Sequence, residues 1–191
     1  MKSRSVIFPY VLCALFAALT AVCSQIMVPL PFTPIPINLA LLAVWVCGGI
    51  LGAKKGAIAM LVYILLGAVG VPVFVGLNAG LGALAGPTGG YIIGYLPSVI
   101  VFALLVRQPE TRERGGKPAK GFILSIVRGL PAMAACYSPG TAWFMLTTGM
   151  GLTESLVICV IPFIPGDVLK IVAAVAVMGA LRKPLRGIID L

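Results

Sequence analysis

Residues 37–71 read INLALLAVWVCGGILGAKKGAIAMLVYILLGAVGV, which is two apolar runs separated by Lys54 and Lys55. Each run is close to the roughly 20 residues that a helix needs to cross a bilayer core about 30 Å thick. Lysine at a connection between two such helices is typical of the cytoplasmic side of a membrane. The stretch therefore predicts two transmembrane helices, residues 37–53 and 56–71, joined at a cytoplasmic connection.

The whole chain has the same character as this stretch. Of its 191 residues, 60% are apolar and 10% are charged, whereas soluble domains carry about 25% charged residues. Further apolar runs occupy residues 6–28, 89–106, 121–148 and 154–181. The sequence therefore predicts an all-α integral membrane bundle of six transmembrane helices, with residues 1–191 forming a single transmembrane substrate-binding domain.

The basic residues divide the connections between these runs into two kinds. Twelve of the 14 Lys and Arg lie in four places: at residues 2–4, at 54–55, within 107–120 and within 182–186. The connections at 29–36, 71–87 and 149–154 contain no Lys or Arg, and they alternate strictly with the basic ones. Because basic connections stay in the cytoplasm, six crossings place both termini there. We predict a multi-pass protein of the cell (plasma) membrane, surrounded by the lipid bilayer.

Several classes of function are excluded by residue types. The net charge is +9, but the basic residues lie between apolar blocks instead of on one solvated face, which predicts no nucleic-acid partner. The five cysteines stand singly and the chain has no histidine, which predicts no metal site, no cofactor and no catalytic residue. The Gly-x-x-x-x-Gly-Lys-Ser/Thr loop is absent, so the chain carries no ATPase of its own.

Two ionisable residues lie inside the last apolar run, in Pro162-Phe163-Ile164-Pro165-Gly166-Asp167-Val168-Leu169-Lys170. On a helix that begins near Pro165, Asp167 and Lys170 face the same side and form an ion pair. A charge at the bilayer centre costs about 2.5 kcal/mol or more, so the pair should point into the bundle. One interpretation is a salt bridge that only fixes the helix. We favour a substrate-binding role, because the two prolines interrupt the run, and broken helices at membrane depth line cavities.

The chemistry of this pair limits the ligand without choosing one. A carboxylate acceptor beside an ammonium donor suits a neutral molecule with N–H donors next to a carbonyl, such as a cyclic urea or amide. It equally suits a zwitterion. These residues leave both classes open.

The glycine-rich connection at residues 70–90 is the second candidate region. It is the longest connection without a basic residue, and glycine permits close approach of the backbone to a ligand. We interpret it as a lid on the outer face, whereas the alternative is a tight connection or a seam for helix packing. The predicted lid glycines are Gly76, Gly80 and Gly86, and the predicted polar contacts to substrate are Asn78 and Tyr91.

The first helix carries small residues at four-residue spacing, including Ala14 and Ala18. Such spacing lets another helix approach closely. It predicts either docking of a partner protein or packing within the same bundle.

Four segments, in this order along the chain, resemble segments of the BioY family, the biotin-binding S components of energy-coupling-factor (ECF) transporters. They are the Pro29–Pro36 loop, Gly-Val-Pro-Val-Phe with Gly-Pro-Thr-Gly-Gly-Tyr in residues 70–91, the Ser138-Pro139-Gly140-Thr141-Ala142-Trp143 turn, and the Pro-Gly-Asp-x-x-Lys motif ending at Lys170. The resemblance covers nearly the whole chain.

The resemblance implies a six-helix protein that captures biotin from outside, together with an ECF transmembrane coupling protein and two ABC ATPase subunits. It implies that Asp167, Lys170 and Asn78 contact the polar rings of biotin. Tyr91 matches the tyrosine that closes the glycine block. Ala14 and Ala18 match the small-residue face that meets the coupling protein.

One position departs from the family pattern. After Pro36 the family runs Ile-Thr-Leu-Gln, whereas this chain has Ile37-Asn38-Leu39-Ala40. A role of that glutamine is therefore not carried over to Ala40, and the resemblance assigns no residue to that side of the pocket.

Two other functions remain as alternatives. One is the same fold with another water-soluble vitamin as its substrate. The other is a membrane enzyme that uses Asp167 and Lys170 as an acid/base pair, although a chain without histidine or a second internal carboxylate has few groups for such chemistry.

Overall fold

The computed structural model describes residues 2–31, 33, 35–106 and 118–189, with the side chains of residues 7–31, 33, 35–106 and 121–181. This part of the chain is mostly helical, which confirms the predicted class. The helices are α1 (Lys2–Gln25), α2 (Ala40–Ala68), α3 (Gly80–Ala85), α4 (Gly89–Leu105), α5 (Pro118–Thr148), α6 (Leu152–Cys159) and α7 (Ile164–Ile189). Two strands, β1 (Met27–Val28) and β2 (Ile37–Asn38), pair antiparallel.

Part of the predicted charge alternation lies outside the described residues. This applies to the basic segment at 107–117 and to the side chains of Lys2, Arg4, Lys120, Arg182, Lys183 and Arg186. The connection at Lys54 and Lys55 is described.

Helix α2 folds back on itself at Gly52. Gly52 has φ +78° and ψ 176°, which no helical residue adopts. A Cβ atom on Gly56 would lie 3.4 Å from the Cα of Gly48, whereas residues eight apart in a straight helix are about 12 Å apart. The chain therefore reverses direction here, which agrees with the predicted pair of helices at 37–53 and 56–71.

The last predicted run is interrupted at its prolines. Helix α6 ends at Cys159, one turn of 3-10 helix follows at Ile161–Phe163, and α7 begins at Ile164. Pro165 thus lies in the first turn of α7, where its missing N–H breaks no helical hydrogen bond. The predicted beginning near Pro165 is confirmed.

One local prediction is wrong. Residues 138–143 do not form a turn but lie within α5, which passes through Pro139. This part of α5 packs closely against α4: a Cβ on Gly140 would lie 2.2 Å from the ring of Tyr91, and one on Gly90 would lie 2.2 Å from Trp143. The short helix α3 lies inside the glycine-rich connection at 70–90.

The outer surface of the bundle is apolar. Four helical stretches are long and apolar enough to cross a membrane: Ile7–Gln25, Ala40–Ala68, Gly121–Thr148 and Leu152–Leu181, and a shorter apolar helix spans Gly89–Leu105. Large side chains such as Leu15, Leu61 and Leu146 are exposed on these helices. Exposed apolar faces of this extent fit a lipid environment.

Helix α2 lies at the centre of the packing, with α1, α4 and α7 against it, and α5 packs on α4 and α7. Trp45 of α2 stacks on Phe102 of α4, with ring centroids 5.9 Å apart. The indole N–H of Trp45 donates to Ser98 Oγ at 3.0 Å, and Ser98 donates to the carbonyl of Ala132 in α5 at 2.7 Å. The polar groups of Trp45 and Ser98 are therefore satisfied within the bundle, as an apolar solvent requires.

Candidate functional site

The first two turns of α7 place a carboxylate and an ammonium side by side. The Nζ atom of Lys170 lies 2.6 Å from Oδ1 of Asp167. Both residues are buried, with 2% of Asp167 and 8% of Lys170 exposed. The carboxylate lies near the positive end of the helix dipole, which favours its charge. The predicted ion pair is therefore present and points into the bundle.

Tyr137 of α5 completes this polar cluster. Its hydroxyl donates to Oδ2 of Asp167 at 2.6 Å. Sequence reasoning missed Tyr137, because it sits in an apolar run and the segment after it was interpreted as a turn. The sequence signal was a polar aromatic residue two positions before Pro139. Such a signal is too weak to indicate a contact with another helix.

These three side chains line a cavity between the helices. Its volume, measured as the space that the centre of a water molecule can reach, is about 50 Å³. This is enough for several waters. Its walls combine an apolar and aromatic surface with a few polar groups, which is typical of small-molecule sites. The other lining residues are Ile35, Pro36, Asn38, Leu41, Tyr91, Tyr95, Cys136, Cys159 and Phe163.

Asn38 lines the cavity, where the departure at Ala40 left one side of the pocket without an assigned residue. Its Oδ1 accepts a hydrogen bond from the Ala40 N–H at 2.9 Å, and its side chain lies next to the Tyr95 hydroxyl. Ala40 itself is fully buried and does not line the cavity. The polar group at this wall is therefore an asparagine two residues earlier in the chain.

Of the predicted polar contacts, Tyr91 lies at the cavity and Asn78 does not. The hydroxyl of Tyr91 is 3.2 Å from Oγ1 of Thr141, and its ring meets that of Tyr137 edge to face, with centroids 6.5 Å apart. Asn78 is exposed, and its amide donates to the carbonyl of Val75 at 2.8 Å. The structure thus brings together Asp167, Lys170 and Tyr91, and leaves Asn78 apart from them.

The glycine-rich segment at 70–90 is bonded to the ends of other helices. The Ser24 hydroxyl donates to the carbonyl of Val73 at 2.7 Å, and the Gln25 amide donates to that of Phe74 at 2.9 Å. Gln25 Oε1 accepts from the Leu77 N–H at 3.0 Å. These bonds hold the segment against the end of α1.

The predicted lid glycines do not line the cavity. Gly76 and Gly80 adopt φ values of +71° and +82°, which glycine reaches without strain. The carbonyl of Gly86 accepts from the indole N–H of Trp143 at 3.1 Å. Residues of the connection before α2, Ile35 and Pro36, and Phe163 border the cavity instead.

The alanines of α1 divide between two faces. Ala14 and Ala18 are exposed, whereas Ala17 is buried against the bundle with 2% exposed. Packing within the bundle therefore accounts for Ala17 and not for Ala14 and Ala18.

The fold and the cavity define a class: a multi-pass helical membrane protein with a cavity between its helices, lined by a few polar groups and suited to a small molecule. Within the described ranges, no three Cys, Asp or Glu side chains lie close enough to hold a metal ion. The chain belongs to the BioY family, whose sequence profile matches residues 1–187.

Named relatives and a solved structure agree with this assignment. The biotin transporter BioY of Rhizobium etli is 34% identical over 167 residues, covering 86% of this chain and 87% of the relative. The probable biotin transporter BioY of Pyrococcus horikoshii is 33% identical, covering 90% and 94%. The crystal structure of an S-component for biotin from an ECF-type ABC transporter superposes with a TM-score of 0.79 at 25% identity, covering 96% of this chain and 95% of that chain.

Proposed function

We propose that this chain captures biotin at the outer face of the plasma membrane, as the substrate-specificity subunit of an ECF-type ABC transporter for biotin uptake. The observation that carries the proposal is the buried Asp167–Lys170 pair at a cavity, in a chain of the BioY family. Family membership also argues against the membrane enzyme, because BioY proteins are transport components.

The hydrogen-bonding capacity of the pair supports a cyclic urea as the ligand. An ammonium has three donors, and Lys170 uses one of them on Asp167. The remaining donors match the carbonyl of the ureido ring, while free lone pairs of Asp167 match its N–H groups. The alternative of a zwitterion loses support, because the relatives are named for biotin.

The topology supports a location of this cavity on the outer side. The crossings are α1, the two arms of α2 at 40–51 and 53–68, α4, α5, and α6 with α7. Lys54 and Lys55 favour a cytoplasmic location for the turn of α2, and the cavity-lining residues Ile35, Pro36 and Asn38 precede the opposite end of its first arm. Six crossings then leave both termini in the cytoplasm.

We further propose that the outer segment 70–90 closes over bound biotin and brings Asn78 into contact with it, beside Tyr91. The ECF coupling protein docks on the exposed face of α1 that carries Ala14 and Ala18, and two ABC ATPases supply the energy. Co-purification from native membranes tests this assembly: recovery of two ATPases per chain is expected, and biotin-binding chains without any ATPase would contradict it.

Calorimetry on the purified protein in nanodiscs tests the binding site. Wild-type protein should bind biotin, and Asp167→Asn combined with Lys170→Ala should abolish measurable binding, because the N–H and carbonyl groups of the ureido ring would be buried without their partners. A matched control removes the same charges elsewhere: Glu154 and Lys54 are both exposed and outside the cavity, so Glu154→Gln with Lys54→Ala should bind normally. Absence of biotin binding in the wild type, or unchanged binding in the first variant, would refute the proposal.

Competition and product analysis address the two alternatives. Other water-soluble vitamins should not displace labelled biotin, whereas displacement by one of them at lower concentration would assign the site to that vitamin. Biotin recovered after incubation should be chemically unchanged, as expected of a transport component.

A further inference from the structure

The carboxylate of Asp167 is held at both of its oxygens by donors from two helices. Lys170 of α7 donates to Oδ1 at 2.6 Å, and Tyr137 of α5 donates to Oδ2 at 2.6 Å. Hydrogen bonds to an ionised group are short and roughly twice as strong as neutral ones. The orientation of the carboxylate is thus set by α5 as much as by its own helix.

Tyr137 is itself held from behind. Its ring meets Tyr91 of α4 edge to face at 75°, and the Tyr91 hydroxyl lies 3.2 Å from Oγ1 of Thr141. Gly140 leaves the space that the Tyr91 ring fills, because a Cβ atom there would lie 2.2 Å from that ring. A continuous row of contacts therefore links α4 and α5 to the carboxylate of α7.

This arrangement leaves a defined set of groups free for a ligand. An ionised carboxylate offers about four lone-pair sites, and two are used by Lys170 and Tyr137. The phenol oxygen of Tyr137 donates its only proton to Asp167, so towards the cavity it can act only as an acceptor. The cavity thus presents acceptors in a fixed direction, next to the ammonium of Lys170.

We propose that Tyr137 is a positioning residue for Asp167, which fixes the free lone pairs of the carboxylate towards the N–H donors of the bound molecule. The inference rests on the proposed function for the identity of that molecule, biotin. Pre-orientation strengthens binding because the carboxylate need not be ordered when the ligand arrives. A purely structural role, in which Tyr137 only joins α5 to α7, is the competing explanation.

Binding affinity provides the first measurement. Tyr137→Phe removes the hydroxyl and keeps the ring, and it should weaken biotin binding about ten-fold or more, as expected for a lost hydrogen bond to a charged group. Tyr10→Phe is the matched control: Tyr10 is exposed on α1 and does not line the cavity. The control should change affinity less than two-fold.

An infrared measurement distinguishes positioning from a structural role. The chain contains only two aspartates, Asp167 and Asp190, so ¹³C-carboxyl labelling of aspartate in an Asp190→Asn background reports on Asp167 alone. Tyr137→Phe should shift the carboxylate band of the ligand-free protein and reduce the further shift on adding biotin. Tyr10→Phe should leave the band in place.

The outcomes separate the two proposals. A weakened affinity together with a shifted Asp167 band supports the positioning role. An affinity within two-fold of wild type, or an unchanged band, overturns it even when the wild type binds biotin. A wild type that binds no biotin overturns the proposed function, and the band of the ligand-free protein still decides whether Tyr137 orients Asp167.

Discussion

The first two turns of α7 and the glycine-rich segment at 70–90 differ in how their polar groups are held. In α7, Asp167 and Lys170 are three residues apart, so the helical spacing brings their side chains within reach of each other, and the ion pair measures 2.6 Å. In the glycine-rich segment, the bonds run to distant residues, with Gln25 of α1 contacting Phe74 and Leu77. One region takes its geometry from its own sequence spacing, and the other takes it from its neighbours.

This difference suggests a division of work between the two regions. The α7 cluster is buried and hydrogen-bonded to a second helix, so it forms the fixed part of the proposed site. The glycine-rich segment carries an exposed Asn78 and several positive φ angles, so it forms the part that is able to adapt.

The largest effect is expected from leaving Asp167 without its cation. Lys170→Met keeps an apolar stem but leaves a buried charge unpaired, which should lower the free energy of unfolding by about 3–5 kcal/mol. Unfolding in SDS-containing micelles measures it. Adding Asp167→Asn should restore most of the stability without restoring biotin binding. A stable double variant that still binds would show that the pair is a salt bridge for stability only.

A smaller effect should follow from detaching the glycine-rich segment. Gln25→Ala removes the partners of Phe74 O and Leu77 N, at a cost of about 1–3 kcal/mol for local opening. Hydrogen exchange of residues 74–78 should accelerate, while amides of α7 keep their protection. Gln25→Glu retains the acceptor for Leu77 and should give an intermediate rate. Equal acceleration in α7 would break the distinction between the two regions.

Asn78 tests whether the segment reaches the ligand. Asn78→Ala should weaken biotin binding by about two- to ten-fold, the worth of one neutral hydrogen bond. Calorimetry measures this change, and thermal unfolding of the ligand-free protein should stay constant because Asn78 is exposed. An unchanged affinity would remove the segment from the binding site.

The smallest effect on the isolated chain is expected at the exposed face of α1 that carries Ala14 and Ala18. Ala14→Leu with Ala18→Leu should change the free energy of unfolding by less than about 0.5 kcal/mol, since both positions are exposed. The buried control Ala17→Leu should cost about 1–3 kcal/mol through overpacking. Biotin binding should persist in the Ala14/Ala18 variant while recovery of the coupling protein is lost. Retained recovery would exclude this face as the docking site.

The part of the site that could be predicted from sequence is the part that lies on one helix. Helical periodicity and Pro165 were enough to pair Asp167 with Lys170, and the lysines at 54–55 were enough to locate the reversal of α2. Tyr137 could not be found because its contact joins residues 30 apart. Nothing local indicates such a contact in an apolar run.

The glycine-rich segment shows the opposite case. Its composition indicated turns and an outer location, but glycine permits many backbone paths. Gln25 and Trp143, which determine the path taken, lie 49 and 57 residues away from their partners. Asn38 was missed for the same reason. It lies at the end of an extended stretch, and its neighbour at the cavity, Tyr95, comes from the distant helix α4.

The reversal at Gly52 has a consequence for how the protein enters its membrane. The two arms of α2 contain 12 and 16 residues, about 18 and 24 Å of helix, and each is shorter than a bilayer core of about 30 Å. Neither arm alone is long enough for stable insertion. We therefore expect the translocation machinery to insert the two arms together, as one hairpin whose lysines remain in the cytoplasm. Insertion of the protein would then depend on Gly52, which does not line the substrate cavity.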